Sequence, residues 1–171
     1  MSEIIVSKAT INDLDDFIPF FQHNLRKYFS KEFTPKTLDH FLNKLYSKKA
    51  ANKTIESKIA YIFVVKDKGK IIGFLWQLNK PSGGVAFNDW MAVDENYQRK
   101  GIGSKLLKIW EKESLKNGVH SLRLITEENN IKFYEKNGYK MIGLFPKGNY
   151  GIDGYHMYKP IQEPKEENYL K

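Results

Sequence analysis

Residues 85–107 read VAFNDWMAVDENYQRKGIGSKLL: a stretch of strand character, then a turn that places two glycines and three cations where a helix begins. VAFNDWMAV is short, apolar and rich in strand formers. After it, Leu106, Leu107, Trp110 and Leu115 recur at helical spacing until Asn117-Gly118, where glycine accepts the left-handed cap. Gly101 and Gly103 lack a β-carbon, so the backbone between strand and helix can approach a ligand closely and aim several amides at one point. The helix beginning near Ile102 adds unpaired N–H groups and the positive end of its dipole. Each hydrogen bond to a charged group contributes roughly 1.5–3 kcal/mol, so three or four amides would hold an anion, with Arg99, Lys100 and Lys105 assisting. A turn that needs glycine only for its own geometry is the plain alternative.

Working outward, Ile4 to Ser7 is a first strand. Leu14, Phe17, Ile18, Phe21, Leu25 and Tyr28 then form one helical stripe, capped by Thr10 or Asn12, with Pro19 expected to kink or divide it. Thr34-Pro35 starts a second helix with Leu38, Phe41, Leu42 and Leu45 on its apolar face. SKKAANKTIESK is polar and without period, and reads as a loop. IAYIFVV, the turn at residues 67–70 and IIGFLWQL form a hairpin. After the central stretch come a strand (HSLRLIT), a short helix (NNIKFYEKN), a strand (YKMIGLF), a glycine-rich loop and a last strand (GYHMYK). This order predicts an α/β chain of the α+β type, a mixed sheet with helices on both faces. Residues 1–160 read as a single domain and 161–171 as a charged, frayed tail.

A chain of 171 residues with 41% hydrophobic and 14% aromatic residues suits one core-bearing domain. With no cysteine, disulfides, thiolate metal sites and a cysteine nucleophile are excluded. The four histidines, His23, His40, His120 and His156, show no metal-ligand spacing, and no metal is expected. The opening MSEIIVSKAT has an acid at position 3 and a short apolar run, unlike a signal peptide, and no stretch approaches the roughly 18 apolar residues of a membrane span. A cytoplasmic location without membrane partners is expected. The formal net charge of +8 is compatible with an anionic ligand, although the lysines are scattered and a solvated surface is the plainer account of them.

Three phosphate-binding loops compete for residues 98–105. A Walker loop needs Gly-x-x-x-x-Gly-Lys-Ser/Thr, which is absent. A dinucleotide fingerprint needs Gly or Ala where Leu106 stands. The acetyltransferase loop Gln/Arg-x-x-Gly-x-Gly/Ala is matched by Gln98, Gly101 and Gly103. Together with NNIKFYEKNGYKMIG downstream, the run at 85–107 resembles the GCN5-related N-acetyltransferase family, and the order of elements resembles that family's fold across nearly the whole chain.

The resemblance implies about seven strands with a splay between the fourth and fifth, and acetyl-CoA as acetyl donor. It implies that the pyrophosphate rests on the amides of Gln98, Arg99, Lys100, Gly101, Ile102, Gly103 and Ser104. It also implies that the strand Met91, Ala92, Val93 pairs with the pantetheine arm, and that Asn129, Asn130, Phe133 and Tyr134 line the cofactor. Many relatives carry glycine where this chain has Arg99, so a different local turn is expected there.

Acetyl transfer to an amine needs a base, an oxyanion donor and a proton for the departing thiolate. Asp89 is the only acid inside VAFNDWMAV, and period-two counting puts it on the side of Phe87, Met91 and Val93, so it is the candidate base. An exposed strand aspartate holding a lysine is the alternative, and a bulge would swap the faces. Glu127 and Glu128 stand in reserve. Tyr134 occupies the position from which the family's tyrosine protonates the thiolate; an ordinary core aromatic is its alternative. Asn129 and Asn130 can also act as helix caps. Trp76 and Trp90 read as sheet packing.

The function expected is N-acetyl transfer from acetyl-CoA to a primary amine, a small molecule or a peptide, by direct attack in a ternary complex. The resemblance implies an acceptor held by roughly residues 20–46 and 146–153. A basic nucleic-acid-binding module and a non-catalytic coenzyme A binder are the rival classes, the first disfavoured; a homodimer stays open.

Overall fold

The computed structural model describes residues 4–169; the first residues weighed against a leader and the end of the tail lie outside that range. The elements run β1 (Ile4–Lys8), α1 (Leu14–Phe29), α2 (Pro35–His40), α3 (Lys48–Glu56), β2 (Tyr61–Asp67), β3 (Lys70–Gln77), β4 (Val85–Asn88), β5 (Trp90–Val93), α4 (Ile102–Lys116), β6 (Ser121–Thr126), α5 (Ile131–Lys136), β7 (Lys140–Asn149), β8 (Ile152–Pro160) and α6 (Glu166–Tyr169). Two four-stranded sheets result, β1-β2-β3-β5 and β4-β6-β8-β7. All pairings are antiparallel except β4 with β6.

Because helices cover both faces, the central strands β2 and β3 are almost continuously buried, which is why they read as unbroken apolar runs rather than as alternation. Ile62, Val64, Phe74 and Trp76 enter one core with Phe17, Phe21 and Phe41 from the α1–α3 side. Phe63, Val65 and Leu75 enter the other with Leu106, Trp110 and Tyr134 from α4 and α5. The mixed architecture expected from the order of elements is what the chain adopts.

VAFNDWMAV is not one strand. It divides at Asp89. The first half, β4, pairs with β6 and ends at Asn88 opposite Leu124; the second half, β5, pairs with β3 from Trp90 to Val93. The fourth strand thus passes from one sheet to the other, giving eight strand segments, and the splay opens where β5 leaves β6. The faces swap at the break. Ala86 belongs to the α4 core, and so do Met91 and Val93, whereas Trp90 and Ala92 pack on the α1 core. Strict period-two counting fails across Asp89 because one extra residue is inserted there, so that Asp89 and Trp90 both face Trp76.

Three local expectations also change. α1 runs unbroken through Pro19: the proline is exposed, so the carbonyl it frees faces water, and buried Phe17 and Phe21 anchor the helix on either side. Residues 48–56 are helix α3, not loop. The Ser47 hydroxyl accepts from the Ala50 N–H at 3.3 Å, and the buried face is Ala51 and Thr54, small residues that leave little hydrophobic signal. The described part of the tail folds back onto the turn after α4: the N–H of Ile161 donates to the His120 carbonyl at 2.9 Å, and the Gln162 side chain donates to the Val119 carbonyl at 2.8 Å.

Candidate active site

The site begins at the free edge of β5. The Asp94 N–H donates to the Ile72 carbonyl at 2.9 Å, and with Val93 opposite Gly73 and Met91 opposite Leu75 the antiparallel alternation turns the peptide groups of Met91 and Val93 outward, into the wedge between the sheets. The Val93 carbonyl is taken up by the Gln98 carboxamide at 3.0 Å, whose nitrogen also meets the Tyr28 hydroxyl at 3.0 Å. Gln98 is therefore a brace between β5, the loop and α1. Lys27 adds a second brace through Glu95 at 2.5 Å.

Beyond Gln98 the backbone coils into a nest. Arg99 has φ 58° and Gly101 φ 78°, left-handed positions on either side of Lys100 that turn successive N–H groups inward. Arg99 holds a conformation that glycine would suit better, at about 1–2 kcal/mol for an L-residue. Among the described residues, the backbone N–H groups of residues 99–104 have no acceptor; the first helical bond of α4 runs from Lys105 N–H to the Gly101 carbonyl, 3.1 Å. Gly103 also has a packing reason. A β-carbon there would lie 2.9 Å from the Phe133 ring, so Gly103 is small in order to seat α5 against α4. Lys100 folds back, donating to the Asn96 carbonyl at 2.8 Å over the Tyr97 ring.

Asp89 sits at the break itself. Its N–H donates to the Trp76 carbonyl at 3.0 Å, and its carboxylate accepts from the Leu78 N–H at 2.7 Å. Burial pushes its pKa up to about 6, opposed by that hydrogen bond. The carboxylate acts on Tyr46 of the α1 core, so Asp89 faces the α1–α3 side and not the side of Met91 and Val93. No lysine holds it among the described residues. Around it lie aromatic rings: Trp90 edge-on to Phe29 at 5.0 Å and to Tyr46 at 5.6 Å, and Tyr150, 60% exposed, against Phe41 at 4.6 Å and Phe33 at 6.3 Å. The β7–β8 turn thereby touches the α1–α2 region over the wedge. Glu127, just past β6, has its pKa raised by burial and then by the charge of Glu32.

Tyr134 lies on the opposite side of the sheet, 7% exposed, with its ring edge-on to Phe133 at 5.0 Å and to Tyr139 at 5.7 Å. Burial drives its pKa up, and a hydrogen bond with the Thr126 side chain draws it back; at neutral pH it carries its proton. Asn130 precedes α5 but makes no side-chain cap, and Asn129 and Asn130 are exposed. The capping role expected of at least one is not realised, because Asn130 is already in helical conformation and a cap needs an extended residue.

A family model described as Acetyltransferase (GNAT) domain matches residues 58–141, a span that holds β5, the nest, α4 and α5. Residues 58–141 carry an acetyltransferase domain of the GCN5-related (GNAT) family. Solved structures agree on the fold. The PaiA N-acetyltransferase of Thermoplasma acidophilum in complex with coenzyme A superposes with a TM-score of 0.78 at 22% identity, over 92% of this chain and 99% of that one. The ribosomal-protein-S18-alanine N-acetyltransferase of Escherichia coli gives 0.66 at 23% identity, over 96% and 97%. An aminoglycoside 6′-N-acetyltransferase complexed with coenzyme A gives 0.71 at 18% identity, over 95% and 99%. No curated protein sequence matches the chain.

Within this GNAT domain, sequence reasoning found the nest and the break residue but missed their surroundings. Phe133 as the partner of Gly103, Tyr46 beside Asp89, and Glu32 opposite Glu127 come from distant parts of the chain and carry no local pattern. Among the described residues no group of three or more His, Asp or Glu is placed to hold a metal, and no helix is long and apolar enough to cross a membrane.

Proposed function

We propose that this GNAT protein transfers the acetyl group of acetyl-CoA to a primary amine by direct attack in a ternary complex. The carrying observation is the run of backbone N–H groups at residues 99–104 without an acceptor among the described residues, set at the N-terminus of a long helix and next to the outward peptide groups of β5. A diphosphate on the nest aims the arm along Met91 and Val93, where peptide groups of the protein and amides of the arm exchange hydrogen bonds. Phe133, Asn129 and Asn130 flank that path.

The chemistry divides between the two faces. Asp89, with its pKa near 6, is ionised at neutral pH and takes the ammonium proton directly or through water. The neutral amine attacks the thioester carbonyl and the outward N–H of Met91 or Val93 supports the oxyanion; as the C–S bond breaks Tyr134 gives its proton to the departing sulfur, and the remaining excess proton on the new amide nitrogen passes through water to restore the tyrosine. The aromatic rings and the acids Glu32 and Glu127 on the Asp89 side suit an ammonium-bearing acceptor. No acyl-enzyme is required.

The test has two arms. Coenzyme A should raise the melting temperature of the protein, and acetyl-CoA mixed with a panel of small amines and peptides should release free thiol with at least one of them. Stabilisation without release from any amine would leave a coenzyme A binder instead. Oligonucleotide binding at moderate salt without stabilisation by coenzyme A would replace the reading with the nucleic-acid one.

A further inference from the structure

Asn88 is the last residue of β4 and the closed end of the wedge, and its side chain is poorly served. It is 4% exposed, yet its Oδ1 is buried without a hydrogen-bond partner among the described residues. A buried amide oxygen without a partner is destabilising, and such a group in a native fold calls for an explanation.

Its direction follows from the register. Asn88 stands opposite Leu124 and Ala86 opposite Leu122; paired residues on neighbouring strands share a face, and Ala86, Leu122 and Leu124 all lie in the α4–α5 core. Two residues past Leu124 on the same face is Thr126, the hydrogen-bond partner of Tyr134. Asn88 therefore looks toward the Tyr134 side of the sheet, away from the aromatic rings around Asp89. It lies where an arm laid along the free edge of β5 reaches the end of the space between the sheets.

We infer that the Asn88 carboxamide is a binding group for the pantetheine arm of acetyl-CoA, its Oδ1 accepting a hydrogen bond from an amide N–H of that arm. This rests on the acetyl-CoA reading above. The oxygen is an acceptor and needs a donor. The thioester has none and the amine arrives on the other face, whereas each amide of the arm carries one N–H. The hydrogen bond left unmade in the free protein is made on binding, which fixes the depth at which the thioester stops.

The experiment compares wild type with Asn88→Leu, close in size and without hydrogen-bonding atoms, and with Asn88→Ala, using calorimetric affinities for coenzyme A and for 3′-phospho-ADP, which keeps the diphosphate and lacks the arm. Asn88→Leu should melt higher than wild type, since an unsatisfied group has been removed. Coenzyme A affinity should fall about ten-fold in both variants, the worth of one buried hydrogen bond, while 3′-phospho-ADP binds as before. Coenzyme A affinity equal to wild type in the folded variants overturns the inference alone, and so does an equal loss for both ligands. Wild type that fails to bind coenzyme A overturns the acetyl-CoA reading, and the inference with it.

Discussion

The two sides of the wedge are built on different principles. On the α4 side the site is mostly backbone: a nest at residues 99–104, outward peptide groups on β5, and a helix end. On the α1 side it is mostly side chains: Asp89, Tyr46, Trp90, Phe29, Phe41, Tyr150, Glu32 and Glu127, contributed by elements far apart in the chain. A backbone site recognises a group common to many partners and depends on a few glycines and a turn. A side-chain site can be rebuilt residue by residue. The three N-acetyltransferase structures above share the fold with this chain at 18–23% identity, a level at which the backbone frame persists and the side-chain lining is free to differ.

The largest expected effect tests the side-chain half. Asp89→Asn should lower the turnover number by roughly a hundred- to ten-thousand-fold with little change in the Michaelis constant for acetyl-CoA. In wild type, the rate should rise with pH through about 6 as the carboxylate ionises and level off above it. The same residue makes a stability prediction of known sign. Its folded pKa lies above the ordinary carboxylate value, so the native state binds the extra proton between about 4 and 6 and is progressively less favoured as pH rises through that window. Asp89→Asn should therefore melt higher than wild type at pH 7, and a variant that is both fully active and no more stable removes the assignment.

Next in size is Tyr134→Phe, expected to lower turnover roughly a hundred-fold; a loss in melting temperature with unchanged turnover would return the residue to the core. Gly101→Val probes the backbone half. There is open space for a β-carbon at Gly101, but its positive φ is strained for a branched residue by about 1–3 kcal/mol, so the Michaelis constant for acetyl-CoA should rise about ten-fold while that for the amine stays put. Parallel changes in both constants would show that the two halves are not separable. The smallest effect is expected for Glu127→Gln, about three-fold on the amine's Michaelis constant, as befits a solvent-screened charge, and it should fade as salt is added.

The same division accounts for what the sequence disclosed. Residues 98–103 carry a pattern dense in glycine and tied to a strand before and a helix after, so a ligand-approaching loop was legible there once the downstream motif was read with it, while the left-handed turns at Arg99 and Gly101 were not. Asp89 was legible as a residue but not as a direction, because the face swap arises from strand pairing with two different partners, β3 and β6, that period-two counting cannot see. Residues 48–56 hid a helix because its buried face is Ala51 and Thr54. Tyr150 over Phe41 and Glu32 beside Glu127 depend on how the last hairpin and the first helices meet, a long-range fact with no local mark. At the motif glycine at 103 the sequence showed the glycine but not its neighbour: a β-carbon there would meet the Phe133 ring.

That last contact has a mechanical meaning. The missing methyl group at Gly103 lets the ring of Phe133 rest on the first turn of α4, and Phe133 is joined through one peptide bond to Tyr134. The element that would grip the diphosphate and the hydroxyl that would finish the reaction are therefore spaced in part by a ring lying on bare backbone, like the stop on a caliper. Widening that stop by one carbon in Gly103→Ala should shift the jaw that carries the proton and leave the jaw that carries the phosphates where it is.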